Sequence, residues 1–274
     1  MAAPTRAIAV IMAAWKGDRS DRIAAAAHSV FEQQHLNGRE IRLYLGVDGP
    51  TGAELRETLA GLATRAHRIV YFPDNRGLAP VLNDLIALLE DEQIVFRMDA
   101  DDICAPERFA TQLAYLDDHP KVDILGSAIR ECFPTGERNI VRYPLTHEAI
   151  VAALYWRNPL AHPTVCFRRR VLDAIGGYPA ENLSEDLAMW FLCAAKGFRF
   201  GNIDQPLLDF TVDSNFWARR SMKRAWREYR VWTRGILLLH GISWRLALPL
   251  ARLAFRLTPQ WFRRGAYASR LRRG

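Results

Sequence analysis

The sequence predicts an α/β protein: a doubly wound, mostly parallel mixed sheet flanked by helices, followed by a basic amphipathic helical tail. Three observations carry this expectation. Four apolar runs of strand length alternate with helix-patterned segments in the first hundred residues, and a sheet covered by helices on both sides needs strands apolar on both faces. Acidic clusters stand where two of those strands end. The charge then changes sign along the chain. From Ser214 onward, 15 Lys+Arg face one acid, Glu228, a net of +14 against +7 for the whole chain, which leaves residues 1–213 at −7.

Length and composition narrow the class. At 274 residues, with 50% hydrophobic and 24% charged residues, the chain buries a substantial core and is neither disordered nor collagen-like. Cys104, Cys132, Cys166 and Cys193 form no CxxC pair, which argues against a zinc knuckle or redox motif and for free thiols in a reducing compartment. No apolar run approaches the roughly 18 to 20 residues of a bilayer-spanning helix. Arg6 followed by Ala7–Trp15 has the charged start and apolar stretch of a short signal peptide, but a buried first strand explains the same residues.

Taken in order, Ala7–Ala13 is the first strand, Asp18–Gln34 a helix, and Glu40–Val47 a strand closed by the turn signal Asp48-Gly49-Pro50. Thr51–Ala66 is helical, His67–Phe72 a strand, Gly77–Glu90 a helix and Gln93–Met98 (QIVFRM) the fourth strand. This β-α-β-α-β-α-β order implies right-handed crossovers and a ligand crevice beyond the carboxyl ends of the strands. Pro106 opens a helix running to about His119. Strands follow at Val122–Phe133 and Glu137–Tyr143, then a helix over His147–Trp156, an extended Pro163–Phe167, a helix over Glu185–Lys196, and one or two strands over Phe198–Val212.

Chemistry concentrates at Asp99-Ala100-Asp101-Asp102, directly after QIVFRM. Three carboxylates in four residues repel one another unless a cation or hydrogen-bond donors offset them, and Mg²⁺ or Mn²⁺ takes carboxylate oxygens together with substrate phosphates. The alternative is that Asp102 or a neighbour caps the next helix while the others are solvated. Asp48 is a candidate for a hydrogen bond to a base or ribose, or for an Asx turn. Asn75-Arg76-Gly77 offers backbone N–H groups and a cation to an anion, or is simply a turn before a helix. Glu185 and Asp186 are either first-turn acids behind an N-capping Ser184 or a general base that accepts a hydroxyl proton. His162 is a ligand, an acid/base group or a satisfied loop residue.

In this order and spacing the pieces resemble the glycosyltransferase family 2 enzymes, inverting transferases of the GT-A fold. The resemblance runs from about Ile8 to Val212 and rests on AIAVIMA, Asp48, Asn75-Arg76-Gly77 ahead of Asn83, the DADD run, NPLAHPTVCFRR, Gly176-Gly177-Tyr178, and Glu185-Asp186 with Trp190. It looks most like bacterial transferases of exopolysaccharide, O-antigen or lipooligosaccharide synthesis. It implies a nucleotide-sugar donor, most often UDP-linked, and a saccharide or lipid-linked acceptor. Asp48, Asn75 and Arg76 would meet the donor's nucleotide end, Asp99 the ribose or metal-bound diphosphate, and Asp101 with Asp99 the Mn²⁺ or Mg²⁺. Asp186 would be the base, with Glu185, His162 and Trp190 at the acceptor site. The chain departs from the family pattern at Leu192 and at Phe210-Thr211, where arginine is usual, and at Ala13-Ala14-Trp15-Lys16, where Pro-x-Tyr-Asn is usual.

Residues 214–274 also hold five of the eight tryptophans. Arg245, Arg252, Arg256 and Arg263 fall on one helical stripe opposite Leu246, Leu250, Leu253 and Leu257, with Pro249 and Pro259 expected to kink or divide the helix. The expectation is a domain over 1–213, a tail at an anionic membrane surface, and a cytoplasmic protein peripheral to the inner face of the cytoplasmic membrane. The tail's rivals are nucleic acid, for which no motif is present, and an ordinary helical cap. Rival functions are nucleotidyl transfer onto a sugar phosphate, which would normally show a glycine-rich loop after the first strand, and a non-catalytic nucleotide-sugar-binding module.

Overall fold

The computed structural model describes residues 7–179, 184–212 and 222–257. Nine strands form one sheet in the order β3-β2-β1-β4-β8-β6-β9-β5, with β7 paired to β6. The first half, β3 (Arg68–Phe72), β2 (Glu40–Asp48), β1 (Ala7–Trp15) and β4 (Ile94–Asp99), is entirely parallel. The second half is mixed. β8 (Cys166–Arg168) runs antiparallel to β4 and to β6 (Ile124–Cys132), β6 pairs β9 (Phe200–Thr211) in parallel through two register shifts, and β5 (Ile103–Cys104) and β7 (Arg138–Val141) pair antiparallel at the margins.

The period-2 alternation of β1 sorts the two cores. Ile8, Val10 and Met12 face a cluster shared with α1 (Ser20–Phe31), α2 (Ala53–Leu62) and α4 (Arg108–Asp118), while Ala9 and Ile11 face one shared with α3 (Leu78–Ala87), α5 (His147–Ala153), α6 (Arg169–Ile175) and α7 (Glu185–Ala195). Helices therefore cover both faces of the sheet. The α1 contacts, Ile23, Ala26, Ala27 and Val30, follow the i, i+3, i+4, i+7 spacing of one apolar stripe.

Most helices are shorter than the pattern suggests, by up to two residues at the start and one to four at the end, since capping and turn residues share its polarity. The two-residue β5 and seven-residue α6 are too short for periodicity to reveal. The stretch read as extended from Pro163 is a single 3-10 turn, His162–Thr164, leading into β8.

The basic tail is not a detached arm. α8 (Met222–His240) lies along α7, with Val231, Trp232 and Ile236 buried in the second core and Trp232 Nε1 donating to the Leu154 carbonyl at 2.7 Å. Gly235 allows the approach, because a Cβ there would overlap the buried Phe191 ring. Pro249 falls in the first turn of α9 (Ala247–Leu257), where its missing N–H costs nothing, so no kink results. The expected arginine stripe is redirected. The Arg245 guanidinium lies 5.6 Å above the Tyr155 ring, and Arg252 lies 4.2 Å above Trp232 while donating to the Trp156 carbonyl at 2.6 Å. The side chains of Arg256 and Leu257, together with Pro259 and Arg263, lie outside the described residues. Among the described residues no helix is long and apolar enough to cross a membrane.

The packing of α8 on α7 is checked by Gly235→Val. The extra methyl groups meet the Phe191 ring, and thermal denaturation is expected to show a loss of about 1–3 kcal/mol.

Candidate active site

Register brings the acids together. On β1, Trp15 stands opposite Asp48 of β2 and Ala13 opposite Asp99 of β4, so three parallel strands end side by side. Asp101 and Asp102 follow in the turn to β5, and the end of β9 comes back over them. The Thr211 N–H donates to Asp102 Oδ1 at 2.8 Å, the Thr211 hydroxyl donates to the Asp101 carbonyl at 2.6 Å, and Arg22 Nη1 donates to that hydroxyl at 2.6 Å. Thr211, where the family pattern expects arginine, thus links a cation from α1 to the acidic turn.

Carboxylate oxygens of Asp99, Asp101 and Asp102 lie within 4.8 Å of one another. Burial, and then the Asp99 charge, raises the Asp101 pKa; Asp102, fully buried, is driven well above the ordinary range by burial and by both neighbours. Asp18, in the β1–α1 turn, is pushed up to about 6 by burial and by the charges of Asp101 and Asp99, while its Oδ2 accepts the Trp15 N–H at 2.9 Å. Two arginines offset these charges. Arg97, 2% exposed, pairs with Asp99, and although burial opposes its charge, Asp99 and the other carboxylates hold it protonated. Arg97 Nε and Nη1 and Asp102 Oδ2 have no hydrogen-bond partner among the described residues. Arg22 lowers Asp101 from the far side.

Asp48 is 5% exposed and clamps the β3–α3 loop, its two carboxylate oxygens accepting the N–H groups of Arg76 at 2.8 Å and Gly77 at 2.9 Å. Asn75 Nδ2 donates to the Asp48 carbonyl at 3.3 Å. The Arg76 guanidinium pairs with Asp84 and lies 4.4 Å above the Phe72 ring. Asp48, Asn75 and Arg76 are thus brought together as sequence predicts. However, the two amides read as an anion cradle are occupied by Asp48.

Glu185 and Asp186 open α7 on the other wall. Asp186 accepts the N–H of Leu187 at 2.7 Å and a side-chain hydrogen bond from Asn158. Asn158 in turn accepts from Trp190 Nε1 at 3.0 Å. Trp190 is wholly buried, so it cannot touch an acceptor directly and instead sets Asn158, which sets Asp186. His162 is likewise buried behind the site, sharing a 2.8 Å hydrogen bond with the Tyr178 hydroxyl, and burial and Arg97 hold it neutral. Tyr178 is fixed by Asn83, whose side chain bonds both its N–H at 2.6 Å and its carbonyl at 2.9 Å. That clamp requires glycine before it, since Gly177 has φ +90° and a Cβ would strike Asn83. Glu185 is raised by burial and by Asp186; it feels Arg97 and Asp99 as well, so the two walls share one electrostatic field.

Several groups escape residue-by-residue reading. Arg97 left one signal, a charge in an otherwise apolar central strand. Asn158 left only its place at the head of the NPLAHPTVCFRR segment, and Asp18 and Arg22 left none, because a polar residue in a loop or first turn looks solvated until the fold closes around it. The arrangement sets three carboxylates within mutual reach on one wall and an oriented carboxylate on the other.

The chain matches the family model Glycosyl transferase family 2 over residues 9–176. The amylovoran biosynthesis glycosyltransferase AmsE of Erwinia amylovora is 31% identical over 79% of this chain and 79% of its own length. A UDP-Gal:alpha-D-GlcNAc-diphosphoundecaprenol beta-1,3-galactosyltransferase of Escherichia coli is 33% identical over 53% of each chain. Among solved structures, the mannosyltransferase PcManGT of Pyrobaculum calidifontis, in complex with GDP-Man and Mn²⁺, superposes with a TM-score of 0.61 at 18% identity, covering 97% of this chain and 82% of that one.

The crowding of like charges has a measurable sign. Asp101 titrates above its ordinary 3.8, so its ionised form weakens the metal-free fold, and the penalty appears as pH rises past that value. Asp101→Asn is expected to raise the metal-free melting temperature by roughly 2–4 °C at pH 8, about 1 kcal/mol, and by nothing near pH 3. Arg97→Met, which leaves Asp99 without its buried partner, is expected to cost about 3 kcal/mol at the same pH.

Proposed function

Because the chain belongs to glycosyl transferase family 2, and is therefore a glycosyltransferase of GT-A fold using a nucleotide-sugar donor, we propose that it inverts the sugar's configuration in bacterial surface polysaccharide synthesis. The observation carrying this reading is the aspartate trio at the end of β4, sharing one electrostatic field with Glu185 and Asp186 at the start of α7.

The donor set fits a divalent cation: three carboxylates in mutual reach, one buried oxygen of Asp102 without a partner, and hard oxygen donors throughout. Asp99 and Asp101 would hold Mn²⁺ or Mg²⁺, which supplies neutralisation of charge on a leaving diphosphate. The Mn²⁺ beside GDP-Man in the Pyrobaculum enzyme supports this choice. Asp48, with Asn75 and Arg76, frames the nucleotide end by fixing the β3–α3 loop, and a UDP-linked sugar is the expected donor. Asp48 retains lone pairs for a base or ribose.

Asp186 takes the proton of an acceptor hydroxyl as that oxygen attacks the anomeric carbon. The bond from that carbon to the diphosphate oxygen breaks on the opposite face, so the product is inverted and the nucleoside diphosphate leaves. Two hydrogen bonds orient Asp186, and Glu185, raised by burial and by Asp186, lines the same wall. His162 and Trp190 act from behind as positioning residues. The acceptor is a saccharide or lipid-linked sugar, as the name of the Escherichia coli relative supports, with the basic tail at an anionic membrane surface on the inner face of the cytoplasmic membrane. Nucleic acid is not expected as a partner.

A panel of UDP-, GDP- and dTDP-sugars, with and without Mn²⁺, tests the reading. One donor is expected to release nucleoside diphosphate in a Mn²⁺-dependent way, whereas nucleotidyl transfer would free pyrophosphate. Asp186→Asn is expected to lower kcat about 10²–10⁴-fold with little change in donor KM. Wild-type rates in both Asp186→Asn and Asp101→Ala would refute the assignment.

A further inference from the structure

The outward face of α8 differs in kind from its inward face. At 100° per residue, the exposed Arg227, Arg230, Arg234, Leu237 and Leu238 fall within one arc of about 120°, and the buried Ala225, Glu228, Val231, Trp232, Gly235 and Ile236 fill the complementary side. Along the outer arc the three arginines come first. Apolar groups follow at the α8–α9 turn: Leu238 is 54% exposed, Ile242 92% and Trp244 70%. Glu228, the only acid after residue 213, is turned inward toward Arg252 at 3.8 Å.

We propose that this face, an apolar tip at Leu238, Ile242 and Trp244 behind a collar formed by Arg227, Arg230 and Arg234, is a docking surface for an anionic lipid bilayer. The occupant follows from charge complementarity and shape. Exposed guanidinium groups attract lipid phosphates, and an indole with two aliphatic chains at a helical turn is the size of insertion that the headgroup layer accepts. A soluble acidic protein would match the arginines but leave the tip in water. Of the arginines singled out by the sequence, Arg252 is held at Trp232 and Trp156, and Arg245 lies above Tyr155 and above the Trp244 ring of the tip itself. The proposal rests on the peripheral location given above and names the surface responsible.

Sedimentation of the full chain with vesicles of phosphatidylcholine and phosphatidylglycerol, against phosphatidylcholine alone, separates the two. Wild type is expected to bind only the anionic vesicles, with affinity falling as salt rises. Ile242→Glu with Trp244→Glu, and separately the triple change of Arg227, Arg230 and Arg234 to Gln, are each expected to weaken binding about tenfold or more, while Arg252→Gln stays within about twofold. Circular dichroism and turnover of a soluble acceptor, which do not depend on this face, confirm that the variants are folded. Wild type failing to bind any vesicle overturns both the peripheral location and this surface. Wild-type affinity in the tip and collar variants overturns this surface alone. A wild-type dimer in light scattering that Trp244→Glu dissociates, without vesicle binding, assigns the face to a second copy and also overturns the proposal.

Discussion

The end of β4 gathers more negative charge than the fold itself can neutralise, and much of the site is arranged around that excess. Asp99, Asp101, Asp102 and Asp18 converge, with Glu185 in the same field, and among the described residues Arg97 and Arg22 answer them. Desolvation and repulsion together raise the carboxylates, a cost the molecule could have avoided with neutral residues. Such a cluster is useful when a cation and a phosphorylated ligand arrive together, because the bound cation reverses the local field and lets all the carboxylates ionise. Family membership says which kind of ligand that is, and the charge balance says why the residues must be aspartates.

The second wall depends on the first through rigid intermediaries. Arg97 is paired to Asp99, and burial, followed by the Arg97 charge, keeps His162 neutral. From the other side, buried Trp190 fixes Asn158, which fixes Asp186. Tyr178, locked by Asn83 from α3, closes the gap between them. A carboxylate held by two hydrogen bonds on a helix packed into the core has little freedom, which is what precise proton transfer requires. The buried motif residues are therefore packing supports for the carboxylates in front of them.

Much of this was legible in the sequence, and the limits have physical causes. The parallel half of the sheet was readable because strands buried on both faces are continuous apolar runs, and the acids stood out because they punctuate those runs. Asp48 was located correctly, but its clamp on Arg76 and Gly77 depends on a loop 28 residues away, which no local pattern encodes. Trp190 and His162, acceptor-site candidates in the sequence, are buried, a distinction set by the third dimension. The tail shows the same limit. Arginine periodicity pointed to a stripe from Arg245 onward, whereas Arg252 packs on Trp232 of α8 and Arg245 on Tyr155 and Trp244, and the outer face of α8 carries exposed arginines of its own.

The central claim, that the aspartates after β4 hold a divalent cation against a nucleotide-sugar's diphosphate, is most directly tested by crystals grown with Mn²⁺ and UDP and measured at the manganese absorption edge. The account predicts one anomalous peak at coordination distance, about 2.0–2.3 Å, from carboxylate oxygens of Asp99 or Asp101 and from the diphosphate. UDP bound with no manganese near those residues, or manganese bound elsewhere in the molecule, would contradict it.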